Sequence, residues 1–131
     1  FKADTEVRHA LSLGSVKNVS SGALFFGDFA GSVYAIDQSN GELIWKTKAN
    51  DHPDTTITGS PKLYNDVLYV PLSSREWASA ANPAYQCRML RGVVVAINTA
   101  YGRHECVSYT VDMPVKSGQL DSMGVLLMAT S

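Results

Sequence analysis

The sequence predicts an all-β chain built from antiparallel four-stranded blades of an incomplete β-propeller, and three observations carry that expectation. The first is a stretch written twice. Val33-Tyr34-Ala35-Ile36-Asp37-Gln38-Ser39-Asn40-Gly41-Glu42-Leu43-Ile44-Trp45 returns, altered, as Val94-Val95-Ala96-Ile97-Asn98-Thr99-Ala100-Tyr101-Gly102-Arg103-His104-Glu105-Cys106. Each copy is an apolar run, a polar turn ending in Gly and a second run, which is the pattern of a β-hairpin. The second observation is the period. The hairpins are 61 residues apart, whereas Ala23-Leu24-Phe25-Phe26-Gly27 matches Val67-Leu68-Tyr69-Val70-Pro71 at an offset of 44. The difference falls between Pro71 and Gly92, so the underlying repeat is 44 residues, the length of a four-stranded blade, with an insertion in the second copy. The third is residue type: Val, Ile, Tyr and Phe gather in short runs, with Gly, Asn, Asp and Pro between them.

Taken in order, the first blade (residues 1–49) has strand A near residues 10–16 and strand B at 23–27. Asp28-Phe29-Ala30-Gly31 turns tightly into strand C at 32–37, residues 38–41 turn again, and strand D is 42–48. The second blade (50–112) has strand A near 57–64, an Asn65-Asp66 turn, and strand B at 67–72. The insertion (73–91) follows, with one short helical turn at 79–81, then strand C at 92–98 and strand D at 103–111. Residues 113–131 open a further blade, and their run at 123–129 reads as a strand just beginning. About two and a half blades leave sheet edges and faces uncovered, so the expectation is a piece of a longer protein or a chain that needs copies of itself.

Trp45, at the end of strand D, is expected to face Tyr34 across the ladder and to fill the gap against the next blade. Its counterpart is the much smaller Cys106, placed about opposite Val94. A bridge from Cys106 to Cys87 requires the insertion to fold back, because disulfide Cα atoms lie within about 7 Å.

Composition narrows the function. The 131 residues are 45% hydrophobic and 18% charged, with a net charge of −1. No run of basic residues offers a field to a phosphate backbone, so nucleic acid is not expected as a partner. The apolar stretches are strand-sized, so no membrane span is expected. No Cys-x-x-Cys-His haem motif, phosphate-binding glycine loop or nucleophile–base pair occurs. Asn18-Val19-Ser20 is a glycosylation triplet, meaningful only in a secreted eukaryotic protein.

The pattern Ala35-Ile36-Asp37-x-x-Asn40-Gly41-x-x-x-Trp45 resembles the docking repeat of propellers in the pyrroloquinoline-quinone (PQQ) dehydrogenase family. The wider stretch is similar to polyvinyl-alcohol dehydrogenases and their relatives. It includes Val7-Arg8, Asp51-His52-Pro53, Ile57-Thr58-Gly59-Ser60-Pro61, Ala81-Asn82-Pro83-x-Tyr85, Cys87 and Arg91-Gly92. The resemblance covers about residues 1–112. It implies an eight-bladed periplasmic or extracellular quinoprotein that oxidises an alcohol with PQQ and Ca²⁺. It also implies docking roles for Ala35, Asp37, Gly41 and Trp45. Many relatives carry two adjacent cysteines beside the quinone, where this chain reads Cys87-Arg88. Likewise, Asn98 stands for the Asp of the repeat and Cys106 for its Trp.

In a four-stranded blade the B–C loop and the link from D to the next A emerge on one face. The insertion therefore shares a rim with residues 3–9 and 50–56, which gathers Arg8, His9, Asp51, His52, Asp54, Thr55, Thr56, Arg75, Glu76, Arg88 and Arg91. Loops on a rigid scaffold are where function resides. A quinone with three carboxylates needs guanidinium forks or hydroxyl donors and a flat neighbour. The candidate cofactor-binding residues are accordingly Arg8, Thr55, Thr56, Trp77, Cys87 and Arg91. The same residues read equally as solvated loop, and Asp51-His52-Pro53-Asp54 as a turn ended by Pro53. No metal-ligand spacing and no catalytic set can be assembled from them.

Two functions follow. The chain is a segment of a PQQ-dependent alcohol dehydrogenase-like propeller, catalytic only when the remaining blades complete it around a small alcohol substrate. Alternatively it is a non-catalytic repeat scaffold whose sheets are completed by copies of itself, in a ring or a filament.

Overall fold

A four-stranded sheet followed by a second, larger one forms the body of the molecule. The computed structural model describes residues 1–17, 19–82, 85, 90–113, 115–120 and 126–129, with the backbone alone for 116 and 126–129. The first sheet is a meander, β1 (Ser12–Val16), β2 (Val19–Gly27), β3 (Ser32–Asp37) and β4 (Leu43–Lys48), in the order β1-β2-β3-β4. Every pairing is antiparallel. Strand C spans the residues expected of it, and β2 begins four residues earlier than the apolar run implies, at Val19.

The second sheet repeats this plan with one change. Its strands are β5 (Thr55–Thr56), β6 (Lys62–Tyr64), β7 (Val67–Ser74), β8 (Val93–Asn98) and β9 (His104–Tyr109). Both β5 and β6 pair with β7, at opposite ends of that strand, so the outermost position is filled by two short pieces rather than one strand over 57–64. The reason lies between them: Gly59 approaches Pro71 so closely that a Cβ there would stand 2.8 Å from the proline ring. Pro71 also lacks the N–H a ladder partner would need. Asn65 and Asp66 both take positive φ (47° and 61°), the backbone of a two-residue hairpin turn. In the insertion, the expected helical turn is α1 (Glu76–Ser79), three residues earlier than the sequence suggests. The hairpin β10 (Val115–Leu120) and β11 (Leu126–Ala129) forms a separate two-stranded sheet.

The two hairpins that share a sequence also share their irregularity. In the first, Ala35 pairs with Trp45 and Ile36 with Leu43, leaving Ile44 as an extra residue. In the second, Ala96 pairs with Cys106 and Ile97 with His104, leaving Glu105 extra. This bulge corrects two expectations. Trp45 lies opposite Ala35 rather than Tyr34, which pairs with Lys46, and Cys106 lies opposite Ala96 rather than Val94. For Trp45 the slip is one residue, which exchanges the faces and is introduced by the bulge. For Cys106 it is two, one from the bulge and one from a turn centred later than expected.

The turns preceding the bulges are built alike. Asp37 accepts from the Ser39 N–H (2.7 Å) and hydroxyl (2.6 Å), and the Gly41 N–H donates to the Asp37 carbonyl at 2.9 Å. Asn98 accepts from the Ala100 N–H (2.9 Å), and the Gly102 N–H donates to its carbonyl at 2.9 Å. An Asn can replace the Asp because the turn needs only a side-chain oxygen there.

The core lies between the sheets. Ala23, Phe25, Val33, Ala35 and Trp45 of the first sheet face Leu68, Val70, Leu72, Val93, Val95 and Ile97 of the second in one cluster. The Trp45 indole donates to the Thr99 carbonyl at 2.7 Å and lies against Gly102. Trp45 therefore locks one blade to the turn of the next.

Candidate functional site

The loop rim is organised by the turn between β2 and β3. Asp28 is fully buried there and accepts three hydrogen bonds, from the Ala30 N–H (3.0 Å), the Ser32 N–H (2.9 Å) and the Tyr34 hydroxyl (2.7 Å). The turn holds the N-terminal segment through Phe29 N–H to the Glu6 carbonyl (2.9 Å) and Ala30 N–H to the Thr5 hydroxyl (3.1 Å). It also holds the link to the second sheet, since the Ile57 N–H donates to the Asp28 carbonyl at 3.3 Å. The carboxylate thus fixes the backbone on which the rim is mounted.

Two guanidinium groups meet the ring of Phe29. The Arg8 carbon Cζ stands 4.4 Å from its centroid and that of Arg75 5.3 Å. Arg8 is also paired with Glu6 at 2.6 Å, with both side chains more than half exposed. Arg75 makes no ion pair among the described residues, and its Nε is buried without a hydrogen-bond partner. Beside it in β5, Thr55 and Thr56 are buried. Thr55 donates weakly to Asn50 Oδ1 at 3.4 Å, and the Thr56 hydroxyl has no partner. The residues opposite this strand are Ser73 and Ser74, and the hydroxyls of Ser73 and Thr58 share a hydrogen bond of 2.8 Å.

The start of the insertion is stapled to the 50–54 link by a polar cluster. The Tyr85 phenol stands 2.8 Å from Asp54 Oδ2 and 3.1 Å from Glu76 Oε1, one proton between two carboxylates. The Ser79 hydroxyl donates to Asp54 Oδ1 at 2.8 Å. The buried Glu76 accepts from the Ser74 hydroxyl (3.2 Å) and the Leu90 N–H (3.1 Å). The Ser79 and Tyr85 hydroxyls hold the Asp54 carboxyl below the usual carboxylate range. Burial and the neighbouring carboxylates push the Tyr85 phenol well above its ordinary value. Both shifts keep the hydrogen-bonded form in place across the neutral range.

The expected cofactor residues are therefore only partly gathered. Arg8, Thr55 and Thr56 lie on elements joined through the Phe29 turn. Arg91 stands apart, its guanidinium carbon 3.4 Å from the Tyr109 ring, beside a cavity of about 180 Å³ lined also by Asn50, His52 and Met113. Trp77 is 77% exposed. Cys87 and Arg88 lie outside the described residues, as does Asn18 of the glycosylation triplet, while Cys106 is a free, exposed thiol. From the sequence, Arg75 belongs to the rim without a role and Ser73 carries none. The pairing of β5 with β7 is the signal that singles them out, and it depends on an insertion whose length hides the register. Among the described residues no three His, Cys, Asp or Glu side chains converge as metal ligands.

No family model matches the chain. Over 102 residues it is 35% identical to a polyvinylalcohol dehydrogenase of Sphingopyxis sp. (strain 113P3) and 33% identical to one of Pseudomonas sp.. That stretch is 78% of this chain and 16% of each relative, so the chain spans about a sixth of their length. Among solved structures, a europium-containing methanol dehydrogenase matches at 27% identity with a TM-score of 0.58, over 85% of this chain and 17% of that one. A quinohemoprotein alcohol dehydrogenase from Comamonas testosteroni shares the fold at 19% identity and a TM-score of 0.55, over 68% of this chain and 12% of that one.

Proposed function

We propose, from the premise that this chain is a segment of the quinoprotein alcohol dehydrogenase-like propellers related to polyvinyl-alcohol dehydrogenases, that it contributes two blades and part of the cofactor rim to an alcohol-oxidising ring. The observation that supports a cofactor role is the pair of orphaned donors, Thr56 Oγ1 and Arg75 Nε, buried within one short ribbon. Unsatisfied buried donors cost about 1–3 kcal/mol each, a cost that an anionic ligand offsets. Donors of this kind fit the carboxylates of a quinone such as PQQ, with Arg75 and Arg8 supplying positive charge above Phe29.

A quinone supplies the oxidant, taking two electrons and two protons from an alcohol. The part of this chain is to hold the cofactor's anionic groups, orient it, and exclude water with the Asp54–Tyr85–Glu76 staple. Among the described residues Asp54 and Glu76 are turned onto one phenol and no third His, Cys, Asp or Glu side chain joins them, so this segment by itself assembles no carboxylate cage for Ca²⁺. No step is routed through that ion. On this reading turnover belongs to the complete ring. The periplasm or the cell exterior is its compartment on the same premise.

Calorimetric titration of PQQ into the purified chain tests this reading. Binding that Thr56→Val weakens at least about tenfold supports it, one lost hydrogen bond to a charged group being worth roughly 1.5–3 kcal/mol. Absence of binding, or binding indifferent to both Thr56→Val and Arg75→Met, sinks it.

The exposure of β9 favours a second reading. All six of its residues are exposed, and among the described residues no strand lies beyond it. On this reading the chain is a scaffold whose sheets are completed by further copies, and light scattering that finds a defined oligomer or a polymer would support it.

A further inference from the structure

At the end of the sheets away from the rim, the end of β1, the Asn65-Asp66 turn and the turn after β8 enclose a cavity of about 490 Å³. That volume is in the range of small-ligand pockets. Ser15 and Lys17 line it from the first sheet, and Asp66, Thr99 and Tyr101 from the second. The cofactor site proposed above, mounted on the opposite loops, shares none of these residues.

The backbone of the floor is already engaged. Thr99 donates from its N–H (3.0 Å) and its hydroxyl (2.9 Å) to the Asp66 carbonyl, while its own carbonyl accepts from Trp45. The charged groups of the walls are not. Among the described residues neither the Lys17 ammonium nor the Asp66 carboxylate has an ion pair or a hydrogen bond. Tyr101 is 64% exposed.

Asp66 is also the residue the repeat does without. In the first blade its place is held by Gly22, whose carbonyl accepts from the Gln38 N–H at 3.1 Å as that of Asp66 does from Thr99. Both positions have positive φ, 82° at Gly22 and 61° at Asp66. A Cβ at Gly22 would stand 3.1 Å from Gln38 Oε1 and 3.3 Å from the Gly14 carbonyl, so that space is filled. In the second blade Thr99 replaces the longer Gln38, and the space stays open. Asp tolerates this backbone, but Gly meets it with no Cβ in the way. The carboxylate is therefore set at a strained position where it satisfies no group of the described residues.

We propose that this cavity binds a neutral polyhydroxylated chain, at a site remote from the cofactor rim. A hydroxyl both donates and accepts, so neighbouring hydroxyls of one ligand give to Asp66 and take from Lys17. Opposite charges on the two walls disfavour a ligand of net charge of either sign. The Tyr101 ring offers a flat apolar surface to the C–H groups between the hydroxyls. Arg103, 5.9 Å from that ring's centroid, lies outside the lining. A 1,3-diol oligomer and an oligosaccharide share this chemistry.

Amide chemical shifts of the full chain, titrated with oligomeric vinyl alcohol and separately with cellohexaose, test the proposal. Saturable shifts are expected at Lys17, Asp66, Ala100 and Tyr101 with at least one probe, and none at Thr55 or Thr56. A response to the first alone identifies a 1,3-diol ligand, and to the second alone a glycan. Asp66→Gly, which puts the least strained residue in the turn, and Tyr101→Ala should each weaken binding at least about tenfold. Three results overturn the proposal: shifts with neither probe, binding that either variant leaves unchanged, or shifts with the zwitterion glycine and with neither polyol. Thr56→Val leaves this binding intact, so its failure and that of quinone binding are read apart.

Discussion

Trp45 lies so close to Gly102 that a Cβ on the glycine would stand 2.7 Å from the indole ring, while the Trp45 N–H reaches the carbonyl of Thr99 at 2.7 Å. One side chain thus measures the separation of two blades, and the residue it meets must be glycine for steric reasons as well as for its φ of 66°.

Gly102→Ala is therefore expected to destabilise by about 2–4 kcal/mol, combining the left-handed backbone cost with overpacking against the ring. Gly41→Ala, with the same backbone demand but its nearest neighbour at 3.9 Å, should cost about 1 kcal/mol. Thermal or urea unfolding of the pair checks the difference. Equal losses would show that the turn conformation alone matters.

Trp45→Ala should cost about 3–5 kcal/mol, the range for emptying a buried aromatic site. Cys106, which stands at the same point of the repeat but is exposed, should tolerate Ala within about 0.5 kcal/mol. Denaturant midpoints for the two variants, at unchanged slope, make the comparison.

Asp28→Ala removes the acceptor of two N–H groups and the Tyr34 hydroxyl at a fully buried position. A loss of at least about 3 kcal/mol is expected, and Asp28→Asn should recover part of it by keeping one oxygen. Tyr34→Phe, which removes only one of the three bonds, should lie well below Asp28→Ala on the same scale.

The pH dependence of the Asp54 staple has a definite sign. Its carboxyl is depressed in the folded chain, so its contribution is present above the ordinary value of 3.8 and is lost as pH falls through the lower folded value. The stability gap between the parent and Asp54→Asn should be flat at neutral pH and close below about pH 4. Tyr85 is raised, so its contribution is present below 10 and disappears only as pH rises beyond that. Ultraviolet titration should show Tyr85 staying protonated as pH rises past 10. A Tyr85 that ionises at the ordinary phenol value would mean that the staple does not form in solution.

Thr56→Val replaces a buried, unsatisfied hydroxyl with a methyl group of similar size. It should be neutral or stabilising by up to about 1 kcal/mol in the free chain. A loss of stability would indicate that the hydroxyl already has a partner.

Much of the fold was legible in the residue pattern. Strand C of the first sheet, both Gly-ended turns and the hinge at Asn65-Asp66 follow from alternation and turn chemistry, which are local properties. The bulge was not legible, because an extra residue in one strand leaves the pattern intact and changes only which residues face each other. The broken outer strand of the second sheet escaped for a related reason, since Gly59 and Pro71 meet only across the ladder.

The rim shows the same division. Strand alternation sends the loops of a blade to one end, and the turn at Phe29 does hold residues 5 and 6 and the 57 link together. Which rim residues meet does not follow from alternation: Arg8 and Arg75 share Phe29, Arg91 turns to Tyr109, and Tyr85 gathers Asp54 and Glu76. The sequence by itself determined the repeat, the strand order and the loops that carry polar groups, because these depend on short-range periodicity. Only the tertiary structure decided the register at the bulges, the contact of Trp45 with Gly102 and the partners of each charged group, because those arise from distances between segments that periodicity does not encode.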